Sequence, residues 1–323
     1  MREHFDDAEL VELTGVCGYF ALNNRFQDSL HLPLEDSDEV DKIKVSVKGN
    51  PDRLKAYLKV LVEQWPEEGY GAEGGKSDNA NPGQERVDSG FQTRESTHAA
   101  RTTLSKRTGR ARCRVSLLDQ ATTPKDSWAM LSAVDRLLGG TPNSARVWAH
   151  VPHVGKMFFP FYYALEREGN GGVLSGRLKA IELVTTAYTN AAPNGLAQYK
   201  ALACAAGLSE AQVTQLCSTE LPTSFSARET AATEWAREVA TNAAKRNASA
   251  FRRLAQHFNQ PEIVELTGLC ATANMATLMY NALRVPPDDP LVLGRLAQST
   301  RIDPLQIKEY LGTVLNEWPG AMP

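Results

Sequence analysis

Apolar residues return at three- and four-residue intervals over most of the chain, the period of helices that bury one face. Trp128, Leu131, Val134, Leu137 and Leu138 follow an opening at Pro124 and Asp126 and stop at Gly139-Gly140, which predicts a helix with both ends marked. The same spacing predicts helices over Ala145–Ala149, over Val154–Glu168 with a kink or break at Pro160, over Leu174–Asn190, and over Asn194–Ala206 up to Gly207. Another starts at Ser209 with S-E-A-Q, weakly a capping box. Ala227–Lys245, Ala248–Phe258, Pro261–Val285, a shorter piece at Leu291–Ser299 and Pro304–Trp318 complete the set. Alternating runs joined by hairpin turns do not occur, so the expected class is all-α. The Pro261–Val285 segment, at about 25 residues or roughly 37 Å of helix, exceeds the usual length and is expected at the centre. Thr267, Asn274 and Asn281 form a polar seam along it, read first as register or capping groups and second as a pocket lining.

The pattern also repeats. With an offset of 253 residues, 19 of the 63 positions from His4 to Pro66 are identical to those from His257 onward, without a gap and including the run V-E-L-T-G. The upstream copy corresponds to the C-terminal third of the downstream unit. Residues 1–66 are therefore expected to form a partial repeat, 67–112 a disordered linker rich in Gly and polar residues, and 113–323 a complete domain. The partial copy is expected to pack on the complete domain as a neighbouring subunit would, because its apolar face must be covered.

Composition narrows the function classes. With 35 basic and 38 acidic residues the net charge is -3, which offers no whole-molecule field toward nucleic acid. The basic run from Arg101 to Arg114 reads as a solvated stretch. No run of about 18 apolar residues is present, and the start is acidic without an apolar h-region. A cytoplasmic protein without nucleic-acid or membrane partners is the expectation. Five cysteines, an odd number with no C-x-x-C pair, read as reduced thiols. His150 and His153 lack a third ligand, so no metal is expected, and His4 and His257 read as packing or capping residues.

The chemistry-bearing positions cluster around one helix pair. Leu174–Asn190 carries Glu182, Thr185, Thr186, Thr189 and Asn190 on one stripe, and a carboxylate there ordinarily ends in a surface ion pair. The next helix opens at P-N-G, where Asn194 and Gly195 offer free backbone N–H groups to an anion, with Tyr199 about one turn inside.

The series R-L-K-A-I-E-L-V-T-T-A-Y-T-N followed by A-Q-Y-K-A-L-A-C-A-A-G-L-S-E-A-Q-V resembles the core of the carboxymuconolactone decarboxylase and alkylhydroperoxidase D-like (AhpD-like) family. The resemblance covers about residues 115 to 290 plus the partial copy at 1 to 40. It implies an AhpD-like helical bundle, homo-oligomers (trimer or hexamer), no cofactor, and sites where helices of neighbouring subunits meet. Glu182 matches the family's glutamate. The hydroperoxidase branch has a C-x-x-C and a following histidine where this chain has Ala192, Gly195 and Tyr199, and the decarboxylase branch has a histidine at the Tyr199 position. The resemblance thus implies a decarboxylase-like lyase or isomerase acting on a small carboxylated molecule without redox cysteines. Glu182 and Tyr199 would be catalytic, and Asn194, Gly195, Thr186 and Asn274 would bind the substrate. Two alternatives stand beside it: a catalytically degenerate binding or assembly module of the same fold, and a thiol peroxidase using Cys204 and Cys217.

Overall fold

The computed structural model describes residues 4–44, 50–65, 112–119, 123–169, 171–298 and 300–316. The expected linker at 67–112 lies outside the described residues except for Arg112, as do Trp318 and the chain end. The N-terminal segment forms α1 (Asp7–Leu30), α2 (Ser37–Lys44) and α3 (Pro51–Glu63). The downstream unit forms α4 (Lys125–Leu138), α5 (Asn143–Trp148), α6 (Pro152–Glu166), α7 (Gly176–Thr189), α8 (Pro193–Ala205), α9 (Glu210–Leu216) and α10 (Ala227–Ala240). A short 3-10 turn, α11 (Ala248–Ala255), α12 (Gln260–Leu283), α13 (Pro290–Leu296) and α14 (Pro304–Asn316) follow. Among the described residues the only β pairing is one isolated bridge, Glu168 with Arg301, so the fold is all-α. No helix among them is long and apolar enough to cross a membrane.

Several expectations change: the helices expected to reach Phe258 and Ser299 end at Ala255 and Leu296. Pro160 does not break α6, which runs through it. Phe158, Phe159, Tyr162 and Tyr163 around it are all buried, and Phe158 stacks on Tyr162 at 5.0 Å, so packing outweighs the roughly 3 kcal/mol a helix-interior proline costs. The helix expected to reach Lys245 ends at Ala240, and Asn242 then takes a left-handed conformation at φ 60°.

Helices α7 and α12 form the centre. Residues of α12 are buried along almost its whole length, and α7 is buried on nearly every side. The bounds of α1 and α12 differ by 253 residues, as do those of α3 and α14, and α1 and α12 each begin with a capping box and end on a left-handed residue, His31 and Arg284. These counterparts also pack on each other, α1 against α12 and α3 against α14. Midway along α1 Gly18 faces Met275 and Met279, while Phe26, nearer its C-terminal end, faces Gly268, so α1 and α12 run antiparallel. A Cβ on Gly18 would sit 3.2 Å from Met275 Cγ, and one on Gly15 would sit 3.0 Å from the Trp148 ring. The absent side chains let the two helices approach closely. Asp7 accepts from Ser116 N and Oγ at 2.8 and 2.9 Å, and Asp28 pairs with Lys245 at 3.0 Å, tying both ends of α1 down.

Candidate functional site

The polar seam of α12 is spent on structure. Thr267 donates to Ile263 O and accepts from Trp235 Nε1 at 3.0 Å. Asn190, the residue that caps α7, donates to Asn274 Oδ1 at 2.8 Å and to Thr277 Oγ1 at 2.9 Å, and its own carbonyl accepts from Asn281 at 2.8 Å. These bonds satisfy the end of α7 by cross-linking it to α12.

The residues singled out from sequence fall into three places. Glu182 lies between α7 and α12, fully buried, instead of at the surface in an ion pair. The Cys270 thiol faces it and Thr186, but neither carboxyl oxygen nor Thr186 Oγ completes a hydrogen bond. Burial raises the Glu182 pKa well above the usual carboxyl range and so favours its protonated form. Asn274 joins the seam just described, with its Nδ2 unpartnered. At the start of α8 there is no room: Asn194 donates to Pro286 O at 2.8 Å, and a Cβ on Gly195 would meet Thr277 Cγ2 at 2.8 Å. The helix start that was to receive a carboxylate is closed by the 285–288 loop and by α12.

Tyr199 lies elsewhere, in the wall of a cavity of about 30 Å³ between α4, α6, α8 and α13, enough for about one water. Its hydroxyl is hydrogen-bonded to that of Tyr162. Burial, with Tyr280 nearby, raises its pKa well above 10, which makes it a donor and excludes it as a base. The same cavity is lined by Glu166, Arg167, Gln198 and Ser144. Glu166 and Arg167 pair at 3.3 Å, and Arg167 also donates to Leu296 O at 3.0 Å. Glu166 Oε1 and Arg167 Nε remain without partners although both side chains are about nine-tenths or more buried. Burial raises the Glu166 pKa to about 7, against the smaller opposing pull of Arg167. Behind this pair, fully buried Lys179 donates to Arg167 O and pairs with Glu265, each at 2.7 Å. Glu265 in turn accepts from the backbone of Val173 and Leu174. Glu182 and Tyr199 therefore share no cavity.

Sequence reading passed over Glu166 and Tyr162. The pattern held a usable clue: Glu166 falls four residues after Tyr162 and seven after Phe159, so a carboxyl interrupts an otherwise apolar helical stripe. The thiols give no comparable site. Burial raises the pKa of Cys204, Cys217 and Cys270 alike, against thiolate formation, and all five cysteines are free. His150 bonds Ser116 O at 2.9 Å and His153 is exposed. Among the described residues no group of three His, Cys, Asp or Glu side chains is placed to hold a metal.

No family model matches the chain, and no curated protein matches it. Its structure is similar to that of the AhpD core of an uncharacterized peroxidase-related protein from Ralstonia eutropha JMP134. That match covers 59% of this chain and 97% of the other, at 20% identity and a TM-score of 0.48. It is also similar to the apo debrominase Bmp8, over 55% of this chain and 95% of the other, at 15% identity and a TM-score of 0.44.

Proposed function

We propose that the chain is an acid–base enzyme of the lyase or isomerase kind that acts on a small carboxylated molecule, with its site in the Tyr199–Glu166 cavity. One observation carries this reading: a buried carboxyl poised near pH 7, with an unpartnered oxygen, lines the same cavity as a buried phenol donor and an arginine with a free Nε. The substrate carboxylate would take Arg167. By replacing Glu166 there and adding negative charge beside it, the substrate raises the proton affinity of Glu166 and keeps it acidic. In a β-keto acid the bond to the carboxyl carbon breaks, carbon dioxide leaves, and the electron pair moves onto the ketone oxygen as an enolate. Tyr199 donates a hydrogen bond to that oxygen, and Glu166 delivers its proton to the carbon, to be recharged by water. Helix α13, none of whose residues is buried, roofs the cavity through Leu296 and must lift to admit a molecule larger than water. Glu182, outside the cavity, keeps a structural part as a neutral buried acid.

A thermal-shift screen with small keto acids and lactones, followed by carbon dioxide release, tests the reading on wild type, Tyr199→Phe, Glu166→Gln and Glu182→Gln. A hit whose carbon dioxide release is slowed in the first two variants and kept in the third supports it. A second reading, a helical module without catalysis, draws on the tightness of the cavity and on the closed start of α8. Absence of any hit or turnover across the screen favours that one.

A further inference from the structure

Helix α1 is apolar on two sides. Leu10, Val11, Gly15 and Gly18 are buried toward the body of the molecule, while Leu13 (45% exposed), Val16 (49%), Tyr19 (55%) and Phe20 (61%) face outward together with Cys17. Positions 13, 16, 17 and 20 follow the helical repeat, so they form one continuous stripe. The counterparts of that stripe at the 253-residue offset, Leu266, Leu269, Cys270, Thr272 and Ala273 of α12, are all buried, because α7 and α10 cover them. Among the described residues nothing covers the corresponding face of α1. A helix apolar on both sides belongs between two layers, and the described residues supply one of them.

We propose that this stripe is the contact face of a homodimer in which α1 of a second copy packs antiparallel on α1 of the first. The ends of the stripe indicate a second copy as the occupant. Its N-terminal end carries exposed Glu9 and Glu12, and its C-terminal end carries exposed Asn24 and Gln27. Antiparallel self-pairing centred near Gly18 sets carboxylates opposite amide donors at both ends, whereas parallel pairing would stack carboxylate on carboxylate. Half-exposed large side chains contribute roughly 100 Å² each. Four of them plus Cys17 give on the order of 500 Å² per copy, so the doubled face reaches the roughly 1,000 Å² of a specific interface.

Sedimentation velocity and light scattering on the full chain test this. The expected result is a concentration-dependent dimer of twice 35.4 kDa. The exposed substitutions Val16→Glu with Phe20→Glu, at unchanged helicity, weaken it at least tenfold. Orientation is read in a Cys17→Ser background: chains carrying Glu12→Cys, mixed with chains carrying Asn24→Cys, form a disulfide between those two positions, mapped by mass spectrometry, and Glu12→Cys chains alone do not. A monomer at all concentrations, another stoichiometry, a dimer indifferent to the paired substitutions, or linkage of Glu12→Cys to itself overturns the proposal.

Discussion

Two buried acids differ in what surrounds them, and pH separates them. Glu166 has an arginine partner and a cavity, and Glu182 has a thiol and threonine with no completed hydrogen bond. Both are raised, so each folded-state carboxyl holds its proton where the unfolded one has lost it. Their contribution to stability is complete below about pH 4.5 and is lost as pH rises, over the window from about 4.5 to 7 for Glu166. Glu182→Gln, a neutral isostere, is expected to leave stability unchanged at pH 4 and to raise it at pH 8, measured by urea unfolding at both values. Reaction should need the protonated Glu166, so kcat/KM should fall as pH rises through about 7, the value in the free protein. Glu166→Gln should abolish that limb and cost at least about 100-fold in rate, while Tyr199→Phe should lower the rate and keep the limb, as a pH-rate profile will show. At this scale the sequence exposed residue types and left environments hidden. Tyr199 was visible as a phenol one turn inside a helix, but its raised pKa comes from burial and from Tyr280, which are set by residues far away in the chain.

Helix identity was legible where apolar period and end markers agreed. Gly207 sits at φ 87° just past α8, and Ser209 with Gln212 forms a complete capping box. Legibility failed where tertiary packing overruled a local rule, as at Pro160. It failed also for α7, whose polar stripe faces other helices instead of water. The Asn190 clamp between α7 and α12 makes an element-level prediction: Asn190→Ala removes two side-chain bonds, leaves Thr277 and Asn274 short of a donor, and should cost about 1–3 kcal/mol in urea unfolding. Gly18→Val would press on Met275 Cγ and on its carbonyl, and should lose about 1–3 kcal/mol by the same measurement.

At the scale of the whole molecule, the upstream helices cover part of the body. Leu10, Val11 and Leu58 are buried, and Gly15 lies on the Trp148 ring. Removing residues 1–65 should therefore lower the melting temperature by about 5 °C or more, read by differential scanning calorimetry, since several side chains worth about 1.5–3 kcal/mol each lose their cover. An unchanged melting temperature would refute packing of the upstream copy on the downstream one.

The sequence by itself determined the helical class, most helix ends, and the 253-residue offset at which α1 and α12 share their bounds, because period, caps and identity are properties of neighbours along a chain. Only the tertiary structure decided that Glu182 and Tyr199 part company, that the start of α8 is closed, and that Glu166 joins Tyr199 at a cavity. Burial and charge at a point in space depend on residues contributed by separate helices, and no local pattern encodes which of them meet.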